Sequence, residues 1–300
     1  MQIIYQIIYQ PLINKVLRSI IKAIPGWPQR LRIQPSGILP VVLMNGKEIR
    51  LQTNQTCFVT NMLFWEADKP YEYTNIFLDL FPRIKTFFDV GSNIGYYSIA
   101  AGVTAPHLKV YAFDPSPGPN EYLRRNIKLN VLSNVYAYPI ALSNQNGTAS
   151  FHFAYNSKYT YLENNTLGGS GHLSDVRENP TTFALDVKTQ TLDSFVETEN
   201  IQTIDLIKLD VEEAEHMVIE GGKNSILRFR PIVVCEVFST EMLQQIRAQI
   251  MEYDFFAFRF QDNRLVKEQI LADSTVNQIE NYFFVPVEKE ELIKKFISSN

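Results

Sequence analysis

The segment KTFFDVGSNIGYYSIAA, residues Lys85–Ala101, constrains the fold of this chain more than any other stretch. Its apolar run Thr86–Val90 predicts a buried β-strand, and the small and apolar residues that follow Gly95 predict a helix. Gly91 allows the backbone to leave the strand in a tight turn, and Gly95 allows the helix to begin close to the strand or to a ligand. A strand, a glycine turn and a helix in this order form the nucleotide-binding cradle of many α/β proteins. We therefore expect a nucleotide-type ligand at this turn.

A second apolar run, LKVYAFDPSP, ends in Asp114, roughly twenty residues beyond the last glycine of the turn. In nucleotide-binding α/β folds, an acid at this spacing ends the second strand and binds the ribose hydroxyls. The alternative role of Asp114 is to cap the helix predicted over Asn120–Asn130, which follows Pro115. The two roles can coexist, and the sequence leaves both open.

The stretch IDLIKLDVEEAEHMVIEGG, residues 204–222, predicts a central strand that carries Lys208 and ends in Asp210. A helix is expected to begin at about Glu212 and to stop at the two closing glycines. Because the carboxyl ends of parallel strands meet at one edge of a sheet, Asp210 should face the same crevice as the acids of the first two strands. The next strand, RPIVVCEV, holds Glu236 in an apolar run, which indicates a functional role or a buried partner such as Lys208.

Four acids fall within six positions of this stretch, namely Asp210, Glu212, Glu213 and Glu215. The three glutamates lie in the predicted first turn of the helix, where the helix dipole favours negative charge. Oxygen-rich clusters also suit Mg²⁺ or Ca²⁺. These charges point around a helix turn, however, and no histidine completes a compact set, so we predict no metal site.

The segments FFDVGSNIGYYSIAA, VYAFDPSP, IDLIKLDVEEAEHMVIEGG and RPIVVCEV, in this order and spacing, resemble the FkbM family of S-adenosylmethionine-dependent methyltransferases. The resemblance covers about Phe58–Val237 and implies an α/β class I methyltransferase (Rossmann-like) fold. Such a fold is a mostly parallel seven-stranded sheet with helices on both faces, here with an N-terminal helix and hairpin extension and a β insertion. Residues 1–84 would form the extension and lid region, and residues 85–300 the S-adenosylmethionine-binding domain.

The resemblance also implies the site residues and a methyl transfer to a hydroxyl oxygen. Asp210 matches an aspartate of the family's active centre and is the leading catalytic candidate, with Glu236 or His172 as a second proton acceptor. The expected cofactor-binding residues are Asp89, Gly91, Ser92, Asn93, Gly95, Asp114, Pro115, Ser116, Ala141 and Leu142. The cradle would hold the methionine part and Asp114 the ribose. Ala141 and Leu142, expected at the end of the third strand, would contact the adenine, with plain strand packing as their alternative role.

Two segments near the predicted crevice are candidates for acceptor recognition. Residues 144–186 contain two predicted strands around a loop rich in Gly, Asn and Ser, which would overhang the carboxyl ends of the sheet as an acceptor flap. His172 lies in this loop, as an acceptor contact or base or as an incidental surface histidine. In the family, the region before the cradle resembles a lid, which makes Trp65 and Glu72 weak site candidates. The chain also has Glu213 where the family usually has glycine.

The first 24 residues predict a helix with a break at Pro11 and a basic amphipathic segment after it. One face is apolar and comprises Ile13, Val16, Leu17, Ile20, Ile21 and Ile24, and the opposite face carries Lys15, Arg18 and Lys22. Peripheral contact of residues 1–24 with an anionic membrane is one hypothesis. Docking on the chain's own domain or on a homodimer partner is the other. No run is long enough to span a bilayer, and the charges follow the apolar stretch, unlike those of a signal peptide.

Composition limits the remaining possibilities. Residues 1–47 hold six basic residues and no acid, whereas the rest of the chain is acidic, which argues against nucleic-acid binding by the main body. Two distant cysteines suggest a reducing cytoplasm. The family resemblance and the aromatic and amide-rich flap imply a sugar, glycan or related small molecule as the acceptor. A non-catalytic cofactor-binding subunit of a glycan assembly system is one alternative. A nicotinamide oxidoreductase is another, disfavoured because the turn lacks closely spaced GxGxxG glycines.

Overall fold

The computed structural model describes residues 2–154, 156–165, 167, 182–250, 253–268, 276 and 278–298, and thirteen strands lie within these ranges. The strands are β1 (Gly37–Val42), β2 (Glu48–Thr53), β3 (Thr86–Val90), β4 (Lys109–Phe113), β5 (Val135–Tyr138), β6 (Ala141–Leu142), β7 (Gly147–Ala154), β8 (Thr182–Gln190), β9 (Leu206–Leu209), β10 (Ile232–Val237), β11 (Phe255–Gln261), β12 (Arg264–Lys267) and β13 (Glu280–Pro286).

Ten α-helices lie in the same ranges. They are α1 (Gln2–Ile8), α2 (Pro11–Lys22), α3 (Phe58–Trp65), α4 (Thr74–Leu80), α5 (Tyr96–Thr104), α6 (Pro117–Leu129), α7 (Leu192–Thr198), α8 (Glu215–Gly221), α9 (Lys223–Phe229) and α10 (Thr240–Ile250). The helix predicted over Asn120–Asn130 therefore begins earlier, at Pro117, because proline suits the first position of a helix.

The main sheet has the strand order β12-β11-β13-β10-β9-β3-β4-β5. The five strands from β5 to β10 in this order pair in parallel, whereas β13 and β12 run antiparallel to their neighbours. The α/β class with a mostly parallel sheet is therefore confirmed. The prediction of seven strands is wrong, because β12 returns beside β11 and adds an eighth. The two residues of this turn, Asp262 and Asn263, adopt left-handed φ values of 49° and 62°, which short polar side chains tolerate.

Helices cover both faces of the sheet. Neighbouring residues of a strand point to opposite faces, so each strand packs into both core layers. Phe87 packs into a core layer with side chains of the β1–β2 hairpin, α4 and α5. Phe88, the next residue, packs into the other layer, with side chains of α7, α8, α9 and α10. The carboxyl ends of the parallel strands lie between these two layers and form the edge on which the candidate site is built.

The N-terminal hairpin forms as the sequence predicts, but its turn differs from the type I′ turn that Asn45-Gly46 favours. The amide of Leu43 donates to the carbonyl of Lys47, and the amide of Gly46 donates back to the carbonyl of Leu43. Within this loop, Gly46 has a positive φ of 80° and Asn45 does not. A three-residue loop with one left-handed glycine therefore replaces the two-residue turn.

The β insertion is a separate three-stranded sheet in the order β6-β8-β7. Strands β7 and β8 are antiparallel, with Gly147 opposite Thr189, and they are the two strands predicted to flank the flap. Most of the polar loop between them, His172 included, lies outside the described residues. The proposed role of His172 stays a prediction.

The N-terminal segment is helical and broken at Pro11, as predicted, but its apolar face is turned away from the protein. Leu12 and Val16 of α2 are 72% and 59% exposed, while the polar residues Asn14 and Arg18 are buried. Asn14 donates to the carbonyl of Gln34 at 3.1 Å and accepts from the amide of Ser36 at 2.9 Å. Hydrogen bonding to the linker, defined as residues 23–36 between α2 and β1, thus decides which side of α2 is buried. Among the described residues, no helix is long and apolar enough to cross a bilayer.

Candidate active site

The site lies where the strand order reverses, between β3 and β9. The chain builds outward from β3 through β4 to β5, and then returns to add β9 and β10 on the other side of β3. Open α/β sheets bind ligands at such a switch point, outside the carboxyl ends of the strands. Asp89 on β3 lies directly beside Lys208 on β9 in the parallel register. Asp210 follows β9 immediately, so the three charged residues meet at this point.

Lys208 is the buried cation of the site. Its ammonium lies 3.0 Å from Asp210 Oδ2 and 3.7 Å from Asp89 Oδ1. Burial lowers the pKa of Lys208, but the carboxylates of Asp210 and Asp89 outweigh burial, and the net shift is upward. Burial raises the pKa of Asp89, and Lys208 opposes this rise, as does a 2.5 Å hydrogen bond donated by the Ser98 hydroxyl. Lys208 therefore stays charged and compensates the buried acids.

Two further acids surround this pair. Burial and then the charge of Asp210 raise the pKa of Glu72, whose carboxylate accepts a 2.9 Å hydrogen bond from the Tyr97 hydroxyl. The same two causes raise the pKa of Glu236 to about 8. The suggested direct partnership of Glu236 with Lys208 is wrong, because the ion pairs of Lys208 in the described part of the chain are with Asp89 and Asp210.

Gly91 brings the cradle against the end of β9. Its φ is 74°, and a Cβ atom added there would lie 1.7 Å from the carbonyl oxygen of Asp210. Gly95 has a φ of 90°, and its Cβ would lie 2.4 Å from Cδ1 of Leu123 on α6. The structure shows that Gly95 allows close packing against α6, and its expected contact with a ligand stays a prediction. Both glycines are needed for the site to assemble.

Asp114 organises the loops around the cradle. Its two carboxylate oxygens accept hydrogen bonds from the amides of Asn93 and Ser116, each at 2.9 Å. Burial raises the pKa of Asp114 to about 7 against the effect of these donors. Ser116, not Asp114, is the N-cap residue of α6. Asp114 therefore joins the cradle to the start of α6, and its expected contact with ribose stays a prediction.

The other expected cofactor residues divide between two places. Ser92 donates from its amide and its hydroxyl to the carbonyl of Phe113, at 2.9 and 3.2 Å, which fixes the cradle to β4. Pro115 is half-buried between Asp114 and Ser116. Ala141 and Leu142 are buried, but they are not the end of the third strand of the main sheet. That placement was wrong.

The third strand of the main sheet ends at Tyr138, because Pro139 has no N–H to continue the ladder. Ala141 and Leu142 pair instead with Thr189 and Gln190 of β8 in the small sheet. The indole N–H of Trp65 donates to the carbonyl of Ile33 at 3.2 Å. It does not bond to the acid cluster, which comprises Glu72, Asp89, Asp210 and Glu236. Trp65 therefore fixes the position of the segment between α2 and β1. Glu72, the other lid candidate, belongs to the site.

The acidic stretch after β9 differs from its prediction. Helix α8 begins at Glu215, not at about Glu212, because Glu212 and Glu213 have left-handed φ values of 54° and 77°. Of the three glutamates, only Glu215 therefore lies in the first turn of α8, where the helix dipole favours a negative charge. Glycine adopts a φ of 77° without steric strain, which explains why a glycine is expected from the family resemblance at the position of Glu213.

Sequence reasoning missed Tyr97 as a residue of the site, and it placed Glu215 in a helix turn without anticipating its burial. Glu215 is fully buried and accepts a 2.9 Å hydrogen bond from the amide of Val211, and burial raises its pKa to about 7. Tyr97 is the second of two tyrosines that open α5, and their position directly after the glycine turn was the available signal. In the described ranges, no set of three or more His, Cys, Asp or Glu side chains is placed to hold a metal ion. Cys57 and Cys235 are buried free thiols.

Comparison with known protein families decides the identity of this fold. The profile described as "Methyltransferase FkbM domain" matches residues 89–263. The chain belongs to the FkbM methyltransferase family. The match begins at Asp89 and ends in the turn between β11 and β12. It favours a methyltransferase over the alternative of a nicotinamide oxidoreductase.

Curated relatives carry related names. The chain is 28% identical over 145 residues to 2-O-methyltransferase NoeI of Sinorhizobium fredii, an alignment that covers 47% of this chain and 59% of that protein. It is 27% identical over 194 residues to 31-O-demethyl-FK506 methyltransferase FkbM of Streptomyces tacrolimicus, covering 58% of this chain and 74% of the relative. The chain thus spans 59% of the length of NoeI.

Among solved structures, methyltransferase FkbM from Methylobacillus flagellatus aligns with a TM-score of 0.41 and 12% identity, over 76% of this chain and 47% of that one. The precorrin-6y C5,15-methyltransferase of Geobacter metallireducens aligns with a TM-score of 0.39 and 10% identity, over 70% of this chain and 85% of that one.

Proposed function

We propose that this chain is an S-adenosylmethionine-dependent O-methyltransferase that acts on a hydroxyl of a sugar, a glycan or a related small molecule. The observation that carries the proposal is the charge arrangement at the switch point of the sheet. Four acids, Glu72, Asp89, Asp210 and Glu236, surround the cation Lys208, and mutual repulsion contributes to the raised pKa of Glu72 and Glu236.

The chemistry of this crevice fits a cationic methyl donor. S-adenosylmethionine, when bound, supplies an electrophilic methyl group on a positively charged sulfonium. Carboxylates that repel one another are stabilised when a positive charge enters among them. The cradle residues Gly91–Gly95 and the buried carboxyl of Asp114 lie beside the crevice at the ends of β3 and β4, where the adenosyl group of such a donor is expected.

Asp210 and Glu236 are the proposed acid–base pair. A hydroxyl is a weak nucleophile at neutral pH and needs a positioned proton acceptor. The carboxylate of Asp210 is 36% exposed and fixed by Lys208, so it can orient the acceptor hydroxyl. Glu236, whose pKa lies at about 8, is the stronger base once it has lost its proton. Holding the acceptor oxygen in line with the methyl group supplies the rest of the rate enhancement.

The acceptor class rests on the names of the relatives and on the site. The two relatives named above are described as a 2-O-methyltransferase and a 31-O-demethyl-FK506 methyltransferase, and both names specify transfer to oxygen. The half-buried ring of Tyr71 can stack on a hydroxylated ring, and the acids of the crevice can form hydrogen bonds with its hydroxyls. A polyhydroxylated acceptor is therefore proposed for this chain.

The test combines cofactor binding with methyl transfer. Thermal-shift titrations with S-adenosylmethionine, its demethylated product and NAD should show stabilisation by the first two compounds only. Transfer of labelled methyl from S-adenosylmethionine should then be measured over a panel of sugars, glycans and hydroxylated small molecules. Stabilisation by NAD alone would refute the proposal. Cofactor binding with no transfer to any hydroxylated compound would favour a non-catalytic cofactor-binding subunit.

A further inference from the structure

A cavity of about 640 Å³ lies beside the acid cluster and shares Glu72 with it. Helix α2 contributes three cations to its wall, Lys15, Arg18 and Lys22. Much of the remaining lining is apolar or aromatic and includes Val41, Phe58, Met62, Leu63, Phe64 and Tyr71. The cavity therefore combines a basic wall, an apolar body and one residue of the candidate active site.

Arg18 is the unusual group in this cavity. Its residue is 2% exposed, and its Nε and Nη1 atoms have no hydrogen-bond partner among the residues that the structure describes. Its guanidinium lies 4.6 Å from the centre of the Phe64 ring, which compensates a buried cation less well than an anion does. Burial lowers the pKa of Arg18, as expected of a cation that has lost water without gaining a counter-ion.

The neighbouring charges leave this cation uncompensated. Glu66 and Glu72 also line the cavity, but neither forms an ion pair with Arg18 in the described part of the chain. Lys22 lies over the same Phe64 ring and donates to the carbonyl of Phe64 at 2.6 Å, which places a second positive charge nearby. A buried unpaired guanidinium is costly, and an oxyanion bound between these groups would remove the cost.

We propose that this cavity binds the methyl acceptor and that Arg18, assisted by Lys15 and Lys22, binds an oxyanion that the acceptor carries, a phosphate or a carboxylate. The acceptor is then an anionic amphiphile, whose apolar part contacts the walls and whose hydroxyl reaches the acid cluster at Glu72. This assignment rests on the proposed function for the reaction at that cluster, but the anion subsite itself is defined by binding alone.

The test measures binding of simple probes by calorimetry on the full chain. Octyl phosphate and octanoate, both below their micellar concentrations, separate the two oxyanions, and inorganic phosphate and octanol separate the charge from the apolar body. Octyl phosphate or octanoate should bind at least tenfold more tightly than inorganic phosphate or octanol. Arg18→Gln should weaken that binding at least tenfold, and Arg18→Lys should weaken it less. Arg30→Gln, at an exposed position outside the cavity, is the matched control.

Equal affinity of wild type and Arg18→Gln for both anionic probes would overturn the subsite, as would octanol binding as tightly as octyl phosphate. If Arg18→Gln does not fold, Lys15→Gln combined with Lys22→Gln provides the same test. S-adenosylmethionine should stabilise wild type and Arg18→Gln equally. Probe binding that depends on Arg18 in a protein that does not bind S-adenosylmethionine would leave the subsite standing and refute the proposed function.

The outer face of the N-terminal helices α1 and α2 is apolar. Large apolar side chains of α1 and α2 are exposed, with Ile3, Leu12, Val16 and Ile20 between 53% and 72%. Residues 1–47 contain six basic residues and no acid, and Lys15 on α2 and Arg30 beyond it are exposed. We propose that this face, defined as the exposed apolar residues of α1 and α2, docks on an anionic lipid bilayer. Charge complementarity selects this occupant, since the rest of the chain is acidic.

Vesicle flotation tests this docking. The wild type should float with phosphatidylcholine–phosphatidylglycerol vesicles at low salt, and less with pure phosphatidylcholine or at high salt. The combined variant Leu12→Gln, Val16→Gln and Ile20→Gln should lose flotation, whereas Ile279→Gln, at another exposed apolar site, should not. Equal flotation of wild type and the combined variant would overturn the proposal. So would a dimer, seen by sedimentation, that the same three substitutions abolish.

Discussion

Lys208 and Asp210 are two residues apart in the chain, and their side chains meet at 3.0 Å between Nζ and Oδ2. Residues i and i+2 of a strand point to the same face, so the end of β9 brings this pair together without any help from the rest of the fold. The register between β3 and β9 then adds Asp89 to the same ammonium. A single buried cation thus compensates one fully buried acid and one acid that faces the crevice.

Replacing this cation should strongly destabilise the protein. In Lys208→Met, the buried carboxyl of Asp89 loses its compensating charge, and we expect a loss of about 3–5 kcal/mol in the free energy of unfolding. Urea denaturation measures this change. Lys128→Met, on the exposed side of α6, should change stability by less than about 0.5 kcal/mol. Similar stability of the two variants would show that the ion pair is not what compensates Asp89.

The contact between Gly91 and Asp210 gives a sharp steric prediction. Because a Cβ at position 91 would lie 1.7 Å from the carbonyl oxygen of Asp210, Gly91→Ala should prevent the normal fold or cost more than about 4 kcal/mol. Gly46 has a similar φ of 80° but no atom within 4 Å of its Cβ position. Gly46→Ala should therefore cost only about 1–2 kcal/mol. Thermal unfolding of both variants checks this, and equal losses would contradict it.

Asp114 and Asp210 should separate binding from turnover. Asp114→Asn should weaken S-adenosylmethionine binding by about tenfold or more in calorimetry, since a hydrogen bond to a charged group contributes about 1.5–3 kcal/mol. Asp210→Asn should lower kcat by about 10²–10⁴ and reduce the affinity for the cofactor by a smaller factor than this. Wild-type cofactor affinity in Asp114→Asn would refute the ribose assignment.

The pH dependence of stability follows from buried carboxyl groups with raised pKa values, which are those of Glu72, Asp89, Asp114, Glu215 and Glu236. Burial raises the pKa of Asp114 and Glu215 to about 7 and that of Glu236 to about 8. In the unfolded chain these carboxyl groups release their protons near pH 4, so between about pH 5 and 8 the folded state holds more protons. The melting temperature should therefore fall as pH rises through this window.

Glu236→Gln removes the group with the highest of these pKa values, so its melting temperature should fall less between about pH 7 and 8. The exposed substitution Glu197→Gln should leave the wild-type decline unchanged. A melting temperature that rises from pH 5 to 8 in the wild type would contradict the assignment of these buried carboxyl groups. Differential scanning calorimetry in buffers of low ionisation enthalpy is the appropriate measurement.

The pH dependence of catalysis tests Glu236 as the base. If Glu236 accepts the proton of the hydroxyl, kcat/KM should rise with pH and level off above about 8, following its pKa. Glu236→Gln should lose this rising limb and about 10²–10⁴ of the rate. A limb that persists in Glu236→Gln but disappears in Asp210→Asn would assign the base to Asp210 instead.

Sequence patterns located the parts of the site that depend on neighbouring residues. The run Thr86–Val90 became β3 with its predicted bounds, and the glycine turn and helix followed it. The strand Leu206–Leu209 appeared where its apolar run predicted, with Asp210 at its carboxyl end. Such features follow from strand periodicity and from the φ freedom of glycine, which are properties of a few consecutive residues.

Two of the wrong predictions concern segments whose partners are distant in the chain. Ala141 and Leu142 left the main sheet because β8, more than forty residues later, offered them a pairing edge. Helix α2 buried Asn14 and Arg18 because the linker at Gln34 and Ser36 offered hydrogen bonds to Asn14.

From its residues alone, this chain specifies a strand–turn–helix cradle and acids at the carboxyl ends of three strands, because periodicity and glycine act locally. Only the tertiary structure decided that Lys208 also compensates Asp89, that Glu236 holds its proton to about pH 8, and that a basic cavity opens beside Glu72. Charge pairing and desolvation depend on which distant segments meet, and a linear pattern does not contain that information.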